Sequence, residues 1–282
     1  MYLRLQLTLS FRWLCGAVTL FSSGCSGDGG APDVGVHQQP IFNGTTVVSG
    51  AWGGVVWLDD LCTGVLVGPS ALLTAAHCGI TPNTRVERGG GIELRISHCY
   101  PHPEAAFGAG NDLALCRLSN VVDEGQFFRP LLQSDDMPSG TSLATVVGFG
   151  ISAPDELDFG TKRSVEIPIV DWGEEIELGS SQVGTCSGDS GAPAFINVGD
   201  EGAAADWRLF GILSSGYVGK CGVGFYSDVQ RHWATLTAGL EDMDLAQRES
   251  HTESATCQLS SRRKQPSSFW WIAALVFMYR RV

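Results

Sequence analysis

Thr185-Cys186-Ser187-Gly188-Asp189-Ser190-Gly191-Ala192-Pro193 sets a serine between two glycines, directly after an aspartate and close to a cysteine. Far upstream, Leu72-Leu73-Thr74-Ala75-Ala76-His77-Cys78 offers a histidine, and between the two Asn111-Asp112-Leu113-Ala114-Leu115 offers an aspartate. A serine hydroxyl is a weak nucleophile at neutral pH. It becomes a strong one when a histidine takes its proton and a buried carboxylate orients that histidine. The chain holds all three groups, each in a distinctive local setting.

Around these motifs the chain reads as one folded region of about 200 residues with flanking segments, out of 282 in all. Between Ile41 and Leu240, short apolar or alternating runs are broken by Gly, Pro, Asn and Asp. Gly53–Leu58, Cys62–Val67, Ile92–Ser97, Ala114–Leu118, Ser142–Val147, Ser164–Val170, Ala192–Asn197 and Trp207–Leu213 are such runs. Short strands with frequent turn signals predict an all-β sandwich or barrel. One helix is expected over Asp228–Leu240, with Val229, Trp233, Leu236 and Leu240 on a single face. A net charge of −12 argues against nucleic acid as a partner.

The segments around His77, Asp112 and Ser190 resemble those of the chymotrypsin-like (trypsin-like) serine proteases, and their order along the chain is that family's order. The resemblance covers about 200 residues. It implies two six-stranded antiparallel barrels, the first supplying His77 and Asp112 and the second Ser190, followed by a C-terminal helix. By the same resemblance Ser190 attacks the scissile carbonyl, His77 carries the proton and Asp112 fixes the histidine. The amides of Gly188 and Ser190 form the oxyanion hole. The resemblance also implies disulfides Cys62–Cys78 and Cys186–Cys221. Cys99 and Cys116 have no counterpart in the usual digestive-enzyme set. They flank the loop carrying Asp112 and are expected to pair with each other.

In that family a new N-terminal Ile or Val places its ammonium beside the aspartate preceding the catalytic serine. Ile41-Phe42-Asn43-Gly44 resembles such a start, with Asp189 as the acceptor. Pro40 stands where a basic residue is usual, so cleavage by another protease and a differently generated N-terminus are both open. Gly184, six before Ser190, is expected at the floor of the specificity pocket, with Thr185 beside it. Ser214, Ser215, Gly216 and Gly224 are expected on its walls. An uncharged floor favours apolar or aromatic side chains over Lys or Arg. Ser215 replaces the family's usual Trp. The resulting expectation is a serine endopeptidase, acting on polypeptides and served by an activating protease. The alternative is a non-catalytic, protease-like binding protein on the cell surface.

No cofactor or metal is expected. His98 and His102 flank Cys99 without a standard zinc spacing and read as surface residues, and Glu174-Glu175-Glu177 reads as a solvated loop.

Both ends look like targeting segments. Residues 1–25 carry Arg4, Arg12, the apolar run Trp13–Phe21 and small residues up to Cys25. This is a signal-peptide layout, of bacterial lipoprotein type or of the ordinary kind. Residues 26–40 read as a flexible tether or propeptide, 41–240 as the folded domain and 241–268 as a polar linker. In 269–282 the apolar run Phe269–Tyr279 is short of the roughly 20 residues that span a bilayer. With Arg280-Arg281 behind it and Cys257 before it, this end resembles a bacterial surface-sorting tail. These ends predict an exported protein, whether secreted, periplasmic or anchored through lipidated or processed termini. Six of the nine cysteines lie within 41–240, which fits export to an oxidising compartment.

Overall fold

The computed structural model describes residues 41–88, 93–122, 126–132, 135, 142–199 and 206–262, with side chains as far as Leu245. The expected signal peptide, tether and tail, with Pro40, Cys25 and the side chain of Cys257, lie outside the described residues.

The strands are β1 (Thr45–Thr46), β2 (Val55–Leu58), β3 (Cys62–Gly68), β4 (Ala71–Thr74), β5 (Arg85–Glu87), β6 (Glu93–Pro101) and β7 (Ala114–Leu118). They continue with β8 (Arg129–Pro130), β9 (Leu143–Gly148), β10 (Arg163–Trp172), β11 (Glu175–Leu178), β12 (Pro193–Asn197), β13 (Trp207–Gly216) and β14 (Gly224–Asp228). Helix α1 (Val229–Arg262) follows.

β2-β3-β4-β7-β6-β5 closes as one antiparallel barrel. In the second sheet β9 pairs with both β10 and β12, so β9, β10, β11, β14, β13 and β12 form a second closed ring. β1 adds to β10, and β8 lies parallel to β13 outside that ring. Closure removes exposed strand edges, which is how an all-β chain of this size avoids edge pairing.

Local chemistry places the turns. β2 and β3 are joined through Asp59 and Asp60, both in the left-handed region (φ 44° and 62°), which aspartate tolerates better than most residues. Each barrel has its own apolar filling: Leu58, Leu66, Leu72 and Ile96 in the first, Val146, Ile167, Ile176 and Phe210 in the second. A third cluster joins Val55, Val65 and Leu73 from the first barrel, Phe195, Leu209 and Ile212 from the second, and Val229, Leu236 and Leu240 from α1. Burial of each such side chain contributes roughly 1.5–3 kcal/mol, so this shared cluster holds barrels and helix together.

Three features depart from the sequence reading. Glu174-Glu175-Glu177 is not a solvated loop. The alternation Glu175-Ile176-Glu177-Leu178 is strand β11, with Ile176 and Leu178 fully buried and the glutamates on the other face. The helix runs past Leu240 to Arg262, through most of the stretch expected as a linker, and residues 241–262 contain neither Gly nor Pro. Its early turns are fastened to the first barrel: Asp244 pairs with Arg117 and accepts from His98 Nε2 at 2.8 Å. Finally, His98 and His102 are buried, not on the surface, being 6% and 7% exposed. A bulge after Ile96 turns His98, beside Arg117, toward Asp244 of α1, and His102 stacks edge-on against His232 of α1.

Candidate active site

His77 sits in a single 3-10 turn, Ala76–Cys78, immediately after β4. Gly79 ends the turn at φ 60°, and the Cys62–Cys78 disulfide ties it back to the start of β3. Asp112 lies on the connection between β6 and β7, whose facing residues Cys99 and Cys116 are bonded to each other. Two short tethers thus bring together residues 35 apart in sequence.

Asp112 is 1% exposed, and its carboxylate is fully engaged. Oδ2 accepts from His77 Nδ1 at 2.6 Å and from the Ser214 hydroxyl at 2.7 Å, while Oδ1 accepts from the His77 amide at 2.8 Å. The Asp112 amide donates to Ser227 Oγ at 3.0 Å. Burial alone would raise the pKa of Asp112. Hydrogen bonds from the His77 ring, Ser214 and the His77 amide outweigh it and hold the group below the usual carboxylate range. An ionised Asp112 accepts only, so Nδ1 carries the proton and Nε2 presents its lone pair. Nε2 lies 2.9 Å from Ser190 Oγ. The edge of the exposed Phe107 ring packs against the His77 ring at 5.1 Å.

Ser190 lies on the loop joining the Cys186–Cys221 disulfide to β12. Two glycines make this loop possible. Gly191 has φ 80°, and a Cβ there would lie 2.1 Å from the Thr63 carbonyl of the first barrel. Gly188 has φ 88°, and a Cβ would strike the Phe159 ring at 2.6 Å. The Ser190 carbonyl accepts from the Thr63 amide at 2.8 Å, which pins the loop across the seam between the barrels. The amides of Gly188 and Ser190 donate to no acceptor among the described residues.

Asp189 points away from this surface and is fully buried. Its oxygens accept from the amides of Gly150 (2.8 Å) and Cys186 (2.9 Å). Burial pushes its pKa up to about 6; the two amides and the charge of Arg163 pull the other way. Ile41 is buried in the core of the second barrel, and the Phe42 carbonyl accepts from Gly184 N–H at 3.1 Å. Ile41 is not among the hydrogen-bond partners of Asp189 in the described residues.

A cavity of about 230 Å³ opens beside Ser190. Thr185, Ser214, Ser215 and Gly216 line it, as do Leu213, Val223 and Lys220. Gly184 and Gly224 do not. At Gly184 (φ 155°) a Cβ would point into the Gly222 carbonyl, and at Gly224 it would meet Leu213 and Thr185. The inner end is therefore formed by Thr185 and Leu213, with Gly184 behind them. Lys220, a cation on the wall, was not singled out from sequence.

Cys62, His77 and Cys78 come within ligand distance of one another, but the two sulfurs share a disulfide and offer no thiolate. Sequence reasoning also missed Phe107, Ser227, Phe159 and Arg163. Each acts through a neighbour distant in sequence, and only the inward register of Arg163 with Val165 and Ile167 left a trace.

Comparison with known proteins agrees with this fold. The family model described as Trypsin matches residues 33–235. Human (Homo sapiens) Serine protease 56 is 30% identical over 232 residues, which cover 68% of this chain and 38% of that protein. Human Kallikrein-4 is 26% identical over 243 residues, covering 76% of this chain and 89% of the relative. Ovochymase of Halocynthia roretzi is 24% identical over 245 residues, covering 71% of this chain and 15% of the relative. The chain thus spans well under half the length of Serine protease 56 and of ovochymase. All three come from animals, whereas the expectation of a bacterial source rested on the chain ends alone.

Proposed function

This chain belongs to the trypsin family, and from that premise we propose that it is a serine endopeptidase with Ser190, His77 and Asp112 as its catalytic residues. The observation that carries the reading is the continuous hydrogen-bonded line from Asp112 through His77 to Ser190, at 2.6 and 2.9 Å, beside two amides without an acceptor among the described residues. The Ser190 hydroxyl gives its proton to His77 Nε2 as Oγ bonds to the scissile carbonyl carbon. The carbonyl oxygen becomes an oxyanion and takes the amides of Gly188 and Ser190 as donors, a contribution of about 3 kcal/mol per donor. Histidinium then protonates the departing amine, and the C–N bond breaks. Water, deprotonated by the same nitrogen, hydrolyses the acyl-enzyme and returns the proton to Ser190. Asp112 stays ionised throughout, consistent with its lowered pKa.

The side chain preceding the cleaved bond enters the cavity beside Ser190. Among the described residues its lining holds no carboxylate, and Lys220 adds a positive charge, so Lys and Arg are disfavoured and apolar or aromatic residues preferred. The substrate backbone pairs with the Ser214–Gly216 edge of β13 as an added strand. Three disulfides support an exported protein.

A fluorophosphonate probe tests the chemistry: it is expected to modify Ser190 and to fail after His77→Ala. A library of peptides tests the pocket. Cleavage strongest after Phe, Tyr or Leu is expected, and cleavage strongest after Arg or Lys would overturn that assignment.

A further inference from the structure

The alternation of β10 turns Arg163, Val165 and Ile167 toward the interior of the second barrel. Val165 and Ile167 belong there; an arginine 3% exposed does not, unless an anion compensates it. Its Nη1 donates to the carbonyls of Gly150 (3.0 Å), Thr161 (3.0 Å) and Asp158 (3.3 Å), and its Nη2 to Asp158 Oδ2 (2.8 Å). The backbone of Gly150 is then used on both sides. Its carbonyl holds Arg163, and its N–H donates to Asp189 Oδ1 at 2.8 Å. One residue, through the two peptide groups that meet at its Cα, therefore bridges a buried cation and a buried anion, each group presenting the pole that favours the charge it faces. Gly150 lies so close to Asp189 that a Cβ would come within 2.6 Å of the carboxylate carbon. Asp158 is 38% exposed and shares its charge with solvent, whereas Asp189 has none to share it with.

The trypsin family places a free ammonium beside this aspartate. Here Ile41 follows Pro40, and while that peptide bond is intact its nitrogen is uncharged. Yet the loop from Cys186 to Gly191 is formed, with the Gly188 and Ser190 amides open among the described residues and Ser190 within reach of His77. We propose that Arg163 is a positioning residue, the internal counter-cation of Asp189, so that the chain holds the Cys186–Gly191 loop in its reactive form before any cut at Pro40–Ile41. The proposal rests on the serine-endopeptidase reading and adds to it how that site is switched on. Of the charged and titratable groups, Asp158 faces Arg163, and Arg163 and the Tyr226 phenol face Asp189. Arg163 is the cation among them. The upward pull of burial on Asp189 is what makes such a cation useful.

The test uses the full chain with Pro40–Ile41 uncut, verified by intact mass and terminal sequencing, beside a chain cut to begin at Ile41. Fluorophosphonate is expected to modify Ser190 in both, at rates within about tenfold of each other. If only the cut form reacts, the Ile41 ammonium is the required cation and the proposal is overturned while the endopeptidase reading stands. If neither reacts, both fall. In the uncut chain, Arg163→Gln is expected to lower kcat/KM by about tenfold at neutral pH. Its acid limb should also move to higher pH by about one unit, because Asp189 then holds its proton more tightly. Arg163→Lys should bring the limb most of the way back. A fall in melting temperature with an unmoved acid limb would reduce Arg163 to a structural contact.

Discussion

Asp112 and Asp189 are both buried carboxylates, 1% and 0% exposed, yet their environments push them in opposite directions. Asp112, on the first barrel, receives a histidine ring, a hydroxyl and an amide, and its pKa is lowered. Asp189, on the second, receives two backbone amides and the influence of a cation on the far side of Gly150, and its pKa rises to about 6. Burial is the largest influence on each, and the donors decide the sign. The difference separates two ways of holding a reactive group. The first barrel fixes His77 and Asp112 with short disulfide-closed turns and a carboxylate that is stable as an anion. The second fixes Ser190 with a glycine-hinged loop folded over a charge that resists burial. Of these two carboxylates, the one whose pKa lies nearer neutrality therefore belongs to the second barrel.

The largest effect should ignore the contrast. Ser190→Ala and His77→Ala should each lower kcat by about 10⁴–10⁶-fold, and the double variant should be scarcely worse, because the two groups act as a unit. Additive losses in single-turnover kinetics would show that the barrels contribute independently.

Gly188→Ala comes next. It combines a positive φ with a collision against Phe159 and should cost about 10²–10³-fold in kcat, with smaller change in KM. Unchanged kcat would mean that the Gly188 amide is not a donor to the oxyanion.

Replacing each carboxylate by its amide sharpens the comparison directly. The folded pKa of Asp189 lies above its unfolded value of 3.8, so the folded chain binds this proton more tightly and loses stability as pH rises from about 4 to about 6. Relative to Asp189→Asn, the wild type should lose about 3 kcal/mol across that window in denaturant titrations, while the variant loses activity. Asp112 behaves conversely. Its stabilisation is present above 3.8 and disappears as pH falls through its lowered folded pKa. Asp112→Asn should therefore be the less stable protein at neutral pH and converge with wild type in acid. Parallel curves for the two variants would erase the distinction between the barrels.

The smallest effect concerns the turn beneath Asp112. Removing the Cys99–Cys116 bridge, which closes a loop of 17 residues, should cost about 3 kcal/mol of stability by melting but leave kcat within a few-fold. A kcat collapse would mean that the disulfide itself aligns Asp112.

What the sequence disclosed follows the same division. His77, Asp112 and Ser190 stand in turns whose flanking Gly, Ala and Cys residues are dictated by tight local geometry, so their neighbours announce them. Strands with apolar alternation were legible for the same reason. β11 was not, because its charged outward face masks Ile176 and Leu178. Nor was the burial of His98, whose partner Asp244 is 146 residues away, or of His102, whose partner His232 is 130 away. Gly184 was placed on the pocket floor by its distance from Ser190, but the carbonyl of Gly222 that excludes a side chain there belongs to a remote segment. Local chemistry writes itself into neighbouring residues. A buried pair formed by chain topology leaves at most one odd letter, as Arg163 does between an exposed turn and two inward aliphatics.

The seam at Thr63 has a consequence for recombination. Its amide holds the Ser190 carbonyl, its own carbonyl accepts the Thr74 hydroxyl at 2.8 Å, and that same carbonyl leaves no space for a methyl group on Gly191. The spacing between Ser190 and His77 is thus gauged by one residue of β3, with almost no slack. Chimaeras that exchange one barrel for a relative's should succeed only when residues 63, 74 and 191 travel as a matched set, however well the rest of each barrel folds.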